Sequence, residues 1–201
     1  NCCFLLLAFT ACTEQKQQQL PYLGRVSISP QGDTLPLPPP QFELIDQYGM
    51  LVNTDSLTGQ LVLVDFFFSS CPSICKDMLR NLRKVYAVHG QNPALRILSH
   101  SIDPQYDSPE VLAAYAQSAG VNNRNWLFLT GDEAQIYQLA LHDYMSQAAA
   151  DSSAPGGFIH SGHLLLLDQQ FVIRGIYDGT SEEDTKRLLR ELPYLLQEFT
   201  D

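Results

Sequence analysis

Cys71 and Cys75 stand four positions apart in DFFFSSCPSICKDM, at the end of a run of aromatic residues. Two thiols at that spacing can form a disulfide staple, act as a redox couple, or clamp a metal ion. Thiolate is the form that attacks disulfides, and it is also the form that binds soft metals. Cys-x2-Cys is the usual redox spacing. The extra residue here opens the bite between the sulfurs and suits two sulfurs sharing one ion. Spacing alone leaves the redox pair and the metal clamp open.

A clamp needs a third ligand, and copper sites accept imidazole beside thiolate. The chain has five histidines. His89 lies at a helix end beside Gly90, where a cationic cap is the ordinary explanation. His142 falls in a helical pattern, and His100 sits on a strand among apolar neighbours, as a satisfied core histidine would. His160 and His163 are three apart in the predicted strand IHSGHLLLLD, so they point to opposite faces and one ion cannot readily use both. If this strand runs antiparallel to the one leading into Cys71, its start lies near the cysteine loop. His163 would then sit about 10 Å further along, at roughly 3.3 Å per residue. His160, beside Gly156 and Gly157, is the expected ligand.

The elements that must position these groups read as alternating strands and helices. FELIDQYGMLVNT predicts two short strands around a turn at Asp46 to Gly49. QLVLVDFFF is a continuous apolar run, as expected of a strand buried on both faces. A helix follows from about 74 to 88, with Met78, Leu79, Leu82 and Val85 on one stripe, so Cys75 falls in its first turn. The free N–H groups at that helix end favour thiolate. ALRILSHSID is the next strand, and Ser108-Pro109 opens a helix through Ala119. WLFLT is a short strand, Asp132 can cap the helix EAQIYQLALHDYM, and 146–158 is a small-residue loop. That loop is expected to be mobile and to let His160 swing onto a bound ion. IHSGHLLLLD and FVIRGIYD form the last two strands, and a helix carrying Leu188, Leu189, Leu192, Leu195 and Leu196 closes the chain. The order implies an α/β fold, thioredoxin-like, with a mixed sheet flanked by helices and an N-terminal β-hairpin.

The N-terminal segment NCCFLLLAFTAC is too short to span a bilayer, which takes about 20 apolar residues, and reads as the apolar part of a secretion signal. Its ending FTAC resembles a bacterial lipobox, with Cys12 as the lipidated residue. Residues 13–40, rich in Gln, Pro and Ser without periodicity, read as a flexible tether. Residues 41–201 form the folded domain. Cys2 and Cys3 would leave with the signal and Cys12 would carry lipid. Of the five cysteines, Cys71 and Cys75 then remain, which does not make a disulfide scaffold. Apolar residues make up 45% of the chain and charged residues 17%, so it reads as globular. A formal charge of -10 argues against nucleic acid as a partner.

Taken together, DFFFSSCPSICKDM, SIDPQYDSPEVLAAYA, WLFLTGD and HSGHLLLLD resemble the Sco/SenC proteins, copper-handling factors of cytochrome c oxidase assembly. The resemblance runs from FELIDQYG to about Tyr177, with the motifs in the family's order. It implies a membrane-tethered thioredoxin-like domain on the periplasmic or extracytoplasmic side. Copper would be held by Cys71, Cys75 and His160, with Ser161 as the residue that follows the histidine. The aspartate of the family's DP motif falls on Asp103, as an outer-sphere or weak axial group. Lys76 stands where the family often has Pro, and a cation there is expected to favour thiolate at Cys75. His163 occupies a position usually apolar in the family. The implied function is a metallochaperone that delivers copper to the CuA centre of oxidase subunit II. The alternative is a thiol-disulfide reductase acting through the same pair, with His160 tuning its pKa.

Overall fold

The structure is a computed structural model that describes residues 19–24 and 26–198. Segment 1–12, including the lipidation expected at Cys12, lies outside the described residues. In chain order the strands and helices are β1 (Val26–Ile28), β2 (Thr34–Pro36), β3 (Glu43–Asp46), β4 (Leu51–Asn53), β5 (Leu61–Phe67), α1 (Cys75–His89), β6 (Leu95–Ser101), α2 (Pro109–Ser118), β7 (Trp126–Thr130), α3 (Glu133–Gln138), β8 (Ala148–Ala150), β9 (Phe158–His160), β10 (His163–Leu167), β11 (Ile173–Asp178) and α4 (Glu182–Glu198). Seven strands form one mixed sheet in the order β11-β10-β5-β6-β7-β3-β4. β5, β6 and β7 run parallel, while β10 and β3 join them antiparallel. The expected α/β arrangement, a mixed sheet flanked by helices, is therefore present.

Every residue of β5 is buried, which is why its sequence reads as an unbroken apolar run rather than an alternating one. The hairpin β3–β4 pairs Leu44 with Val52. Its turn is set by Asp46, whose carboxylate accepts from the Tyr48 and Met50 N–H groups at 2.9 Å. α1 buries the predicted stripe of Met78, Leu82 and Val85 against the sheet, with Leu79 packed beside it partly buried. Ser108 caps α2, accepting from the Val111 N–H, with Pro109 at the first helical position. No helix among the described residues is long and apolar enough to cross a membrane.

Three expectations need correction. The helix predicted over EAQIYQLALHDYM is α3 followed by a π turn, Leu139–Asp143. That wider turn delivers Tyr144 into the core, where its ring meets His100 and Phe66. The single strand predicted over IHSGHLLLLD is broken at Ser161-Gly162 into β9 and β10, and β9 pairs with β8 outside the main sheet. Part of the stretch expected as a tether is structured. β1 and β2 form a small hairpin, and Leu20 is buried against the domain.

His100 is a core residue, but not a satisfied one. It is fully buried among Phe42, Phe66 and Tyr144, and neither ring nitrogen meets a hydrogen-bond partner. Burial pushes its imidazole down to about 4. As pH falls below the ordinary 6.5, the unfolded chain takes up a proton that the folded chain refuses, so stability is lost across that window. Replacing His100 with Leu should therefore stabilise the fold more in acid than in base. The expected gain is about 2 kcal/mol larger at pH 5 than at pH 8. Thermal melts at the two pH values check this; an equal shift at both would contradict it.

Candidate metal centre

Cys71 lies in the loop between β5 and α1, and Cys75 is the first residue of α1. The loop is held from below by Asp107, which is fully buried. Its carboxylate accepts from the Ser69 N–H at 3.1 Å and from the hydroxyls of Ser69 and Ser101. That carboxylate rivets the start of the cysteine loop to the end of β6. Farther along, the Cys71 N–H closes a tight turn on the Phe68 carbonyl at 3.1 Å. Both cysteines are free thiols and buried, at 6% and 3% exposure.

The third group arrives on the β8–β9 hairpin, at whose end His160 pairs with Ala148. Gly156, with φ +81°, lets the hairpin tip close over the loop. A Cβ there would lie 2.9 Å from the Phe68 ring and from Pro72, so neither the conformation nor the space admits a side chain. Phe68 also packs against the rings of Phe158 and His160. His160 Nε2 lies 3.3 Å from Cys75 Sγ, and Nδ1 lies 3.2 Å from the Ser161 carbonyl. That carbonyl can only accept, so Nδ1 carries the proton and Nε2 presents its lone pair to the thiol. One ligand atom from each of Cys71, Cys75 and His160 lies within 4.8 Å of the others.

The two thiols are unequal. At Cys71, burial pushes the pKa up, but the thiol of Cys75 and the hydroxyl and backbone of Ser73 outweigh it, leaving Cys71 below the ordinary thiol value. At Cys75, burial and then the neighbouring Cys71 raise the pKa strongly. Lys76 is exposed, and the expectation that it would draw Cys75 toward thiolate is not met, because burial dominates there. His160 is also shifted down by burial, against the pull of the Ser161 carbonyl, and is therefore neutral near pH 7. Behind Cys75 a cavity of about 10 Å³, the size of one water, is lined by Asp65, Ser99 and Tyr115 among others. Burial pushes the Asp65 carboxyl up to about 7, partly offset by the Ser99 hydroxyl.

The donor set fits a soft metal ion. Bonds of about 2.3 Å to sulfur and about 2.0 Å to nitrogen need about 3.5 Å between those atoms at a tetrahedral angle. The observed 3.3 Å requires only a slight opening. His160 already faces the thiols, so no swing of the hairpin is needed to bring it to them. His163, at the start of β10 opposite Asp178 of β11, is exposed and is not part of the cluster. Asp103, expected as an outer-sphere group, is half-buried and outside the cluster too. Its carboxyl is shifted up by burial and by Asp107 and Glu133. The larger surface clefts, of about 290 and 350 Å³, border Gln41 and Gln135 and contain neither cysteine nor histidine.

Two groups escaped the sequence reading. Asp107 carries no local signal, because its partners Ser69 and Ser101 come together only in the fold. Asp65 carried a signal, as the one acid inside an otherwise apolar strand, a position that demands a special environment.

A profile of the SCO1/SenC family matches residues 36–197. An SCO2-like protein of Rickettsia prowazekii is 40% identical over 132 residues, 64% of this chain and 63% of that one. The chain thus spans less than two thirds of that relative's length. Among solved structures, BsSco, described as a member of the Sco family of cytochrome c oxidase assembly proteins with a disulfide switch, superposes with a TM-score of 0.71. It is 23% identical and covers 89% of this chain and 98% of its own. ScoI of Bradyrhizobium japonicum, solved with copper bound, gives a TM-score of 0.63 at 24% identity, covering 77% of this chain and 99% of its own. These structures share the thioredoxin-like fold described above. By the extent of the profile match, the chain belongs to the SCO1/SenC family.

Proposed function

We propose that this protein binds one copper ion through Cys71, Cys75 and His160 and delivers it to the CuA centre of cytochrome c oxidase subunit II. The observation that carries the reading is the convergence of two thiols and one imidazole within 4.8 Å, a soft donor set suited to copper. Both thiols give up their protons on loading. Cys71, already shifted toward thiolate, makes the first contact, and Cys75 follows once the ion's charge replaces its proton. The His160 lone pair is available without deprotonation, because the Ser161 carbonyl holds the proton on Nδ1. Three ligands leave one side of the ion open to the thiols of a recipient. The family's role in oxidase assembly supports that recipient. Cys12 would anchor the protein to the membrane, with the domain facing the periplasm, and Asp103 would act from outside the ligand set.

The inequality of the thiols favours a second reading. Cys71 as thiolate could attack a partner's disulfide, and Cys75 could then resolve the mixed disulfide. The partner would leave with two thiols and Cys71–Cys75 would be left oxidised. A transfer assay separates the two. Copper-loaded protein is mixed with the reduced, metal-free soluble domain of subunit II, and copper in each is measured after separation. Delivery predicts transfer that depends on both cysteines. No transfer, together with copper-free reduction of the oxidised, disulfide-bonded form of that domain in a parallel assay, would overturn delivery in favour of reductase chemistry.

A further inference from the structure

Residues 20–24 form a short strap on the free edge of β11. Arg174, only 4% exposed, reaches out of β11 and donates to the Leu20 carbonyl at 2.7 Å and to the Pro21 carbonyl at 3.2 Å. The same guanidinium pairs with Asp168 and Glu198 and stacks on the Tyr22 ring at 4.3 Å. The Leu23 N–H closes the strap onto the Ile173 carbonyl at 2.7 Å. At the strap's far end Gly24, with φ +62°, lies flat against Met145. A Cβ on Gly24 would sit 1.8 Å from the Met145 methyl.

Met145 is itself at φ +48° and stands at the root of the β8–β9 hairpin. The next residue, Ser146, donates its N–H to the Ala140 carbonyl at 2.7 Å, and its hydroxyl pairs with that of Ser161. Ser161 in turn donates its N–H to the Gln147 carbonyl at 3.0 Å, and its own carbonyl orients the His160 ring. A hairpin of three residues per strand outside the main sheet is marginal by itself, so its position depends on what grips its base. We propose that the strap is that grip: docking of residues 20–24 on β11, relayed through Met145 and the Ser146–Ser161 pair, positions His160 over the cysteines. The inference rests on the copper reading for its consequence, and makes Leu23, Gly24 and Met145 positioning residues. The segment leading in from the N-terminal side thereby influences the quality of the metal site.

Two variants test this in the otherwise intact chain. Leu23→Pro removes the N–H that closes the strap, and Met145→Ala removes the contact while leaving the strap seated. Amide exchange is measured on the copper-free protein, followed by copper(I) affinity in competition with a chelator. Both variants should speed exchange across residues 146–161 by about tenfold or more, leave β5 protected, and weaken copper binding. The inference is overturned if Leu23→Pro frees the strap amides while residues 146–161 exchange as before, or if Met145→Ala leaves them unchanged. Exchange is read without metal, so failure of the parent protein to bind copper would sink the copper reading alone.

Discussion

Replacing either Cys71 or Cys75 with serine should lower copper(I) affinity by at least about a thousandfold, about 4 kcal/mol. The reason lies in the donor set. Serine keeps the shape of the side chain but exchanges a soft, deprotonable sulfur for a hydroxyl that stays protonated and binds soft ions poorly. The two variants should differ in thiol chemistry even though both lose the metal. Cys75→Ser retains Cys71 with its hydrogen bonds from Ser73, and the serine hydroxyl can donate where the Cys75 thiol did, so Cys71 should still react quickly with an alkylating agent. Cys71→Ser leaves Cys75, raised by burial, and should react slowly near neutral pH. Competition titrations and alkylation rates read the two effects separately. Near-parental affinity in either variant, or equal alkylation rates, would contradict the site as described.

Loss of the imidazole has the next largest consequence. His160→Ala should reduce copper affinity by about ten- to a hundredfold, 1.4 to 2.8 kcal/mol, with the greater part of that loss for Cu(II), which favours nitrogen over sulfur more than Cu(I) does. His163→Ala should leave affinity near that of the parent, because His163 is exposed at the start of β10 while His160 stands 3.3 Å from Cys75 Sγ. If His163→Ala were the damaging change, the ligand assignment would be wrong even though the cysteines remained in place.

Much of this was legible along the chain, and the exceptions have identifiable causes. The buried strand β5, the helix that begins at Cys75, the capped helix α2 and the pair of thiols all announce themselves through local pattern: an unbroken apolar run, a helical stripe, Ser-Pro at a helix start. The sequence also favours His160 over His163, although the single strand that would set the two on opposite faces is not present. The two are not on one strand, since Ser161-Gly162 breaks it and sends His160 into a separate hairpin. Single-strand alternation cannot report such a break. Asp107 stayed hidden because its partners, Ser69 and Ser101, become neighbours only through tertiary folding. The strap at 20–24 stayed hidden for a related reason. It has no periodicity of its own, and what orders it is the buried Arg174 far along the chain, whose charge needs carbonyl and carboxylate partners.

X-ray absorption at the copper edge of the loaded protein is the most direct test of the central claim. Two sulfurs and one imidazole nitrogen should surround the ion, and the imidazole contribution should vanish in His160→Ala and persist in His163→Ala. A sulfur-only shell, or an imidazole signal that survives the loss of His160, would contradict it.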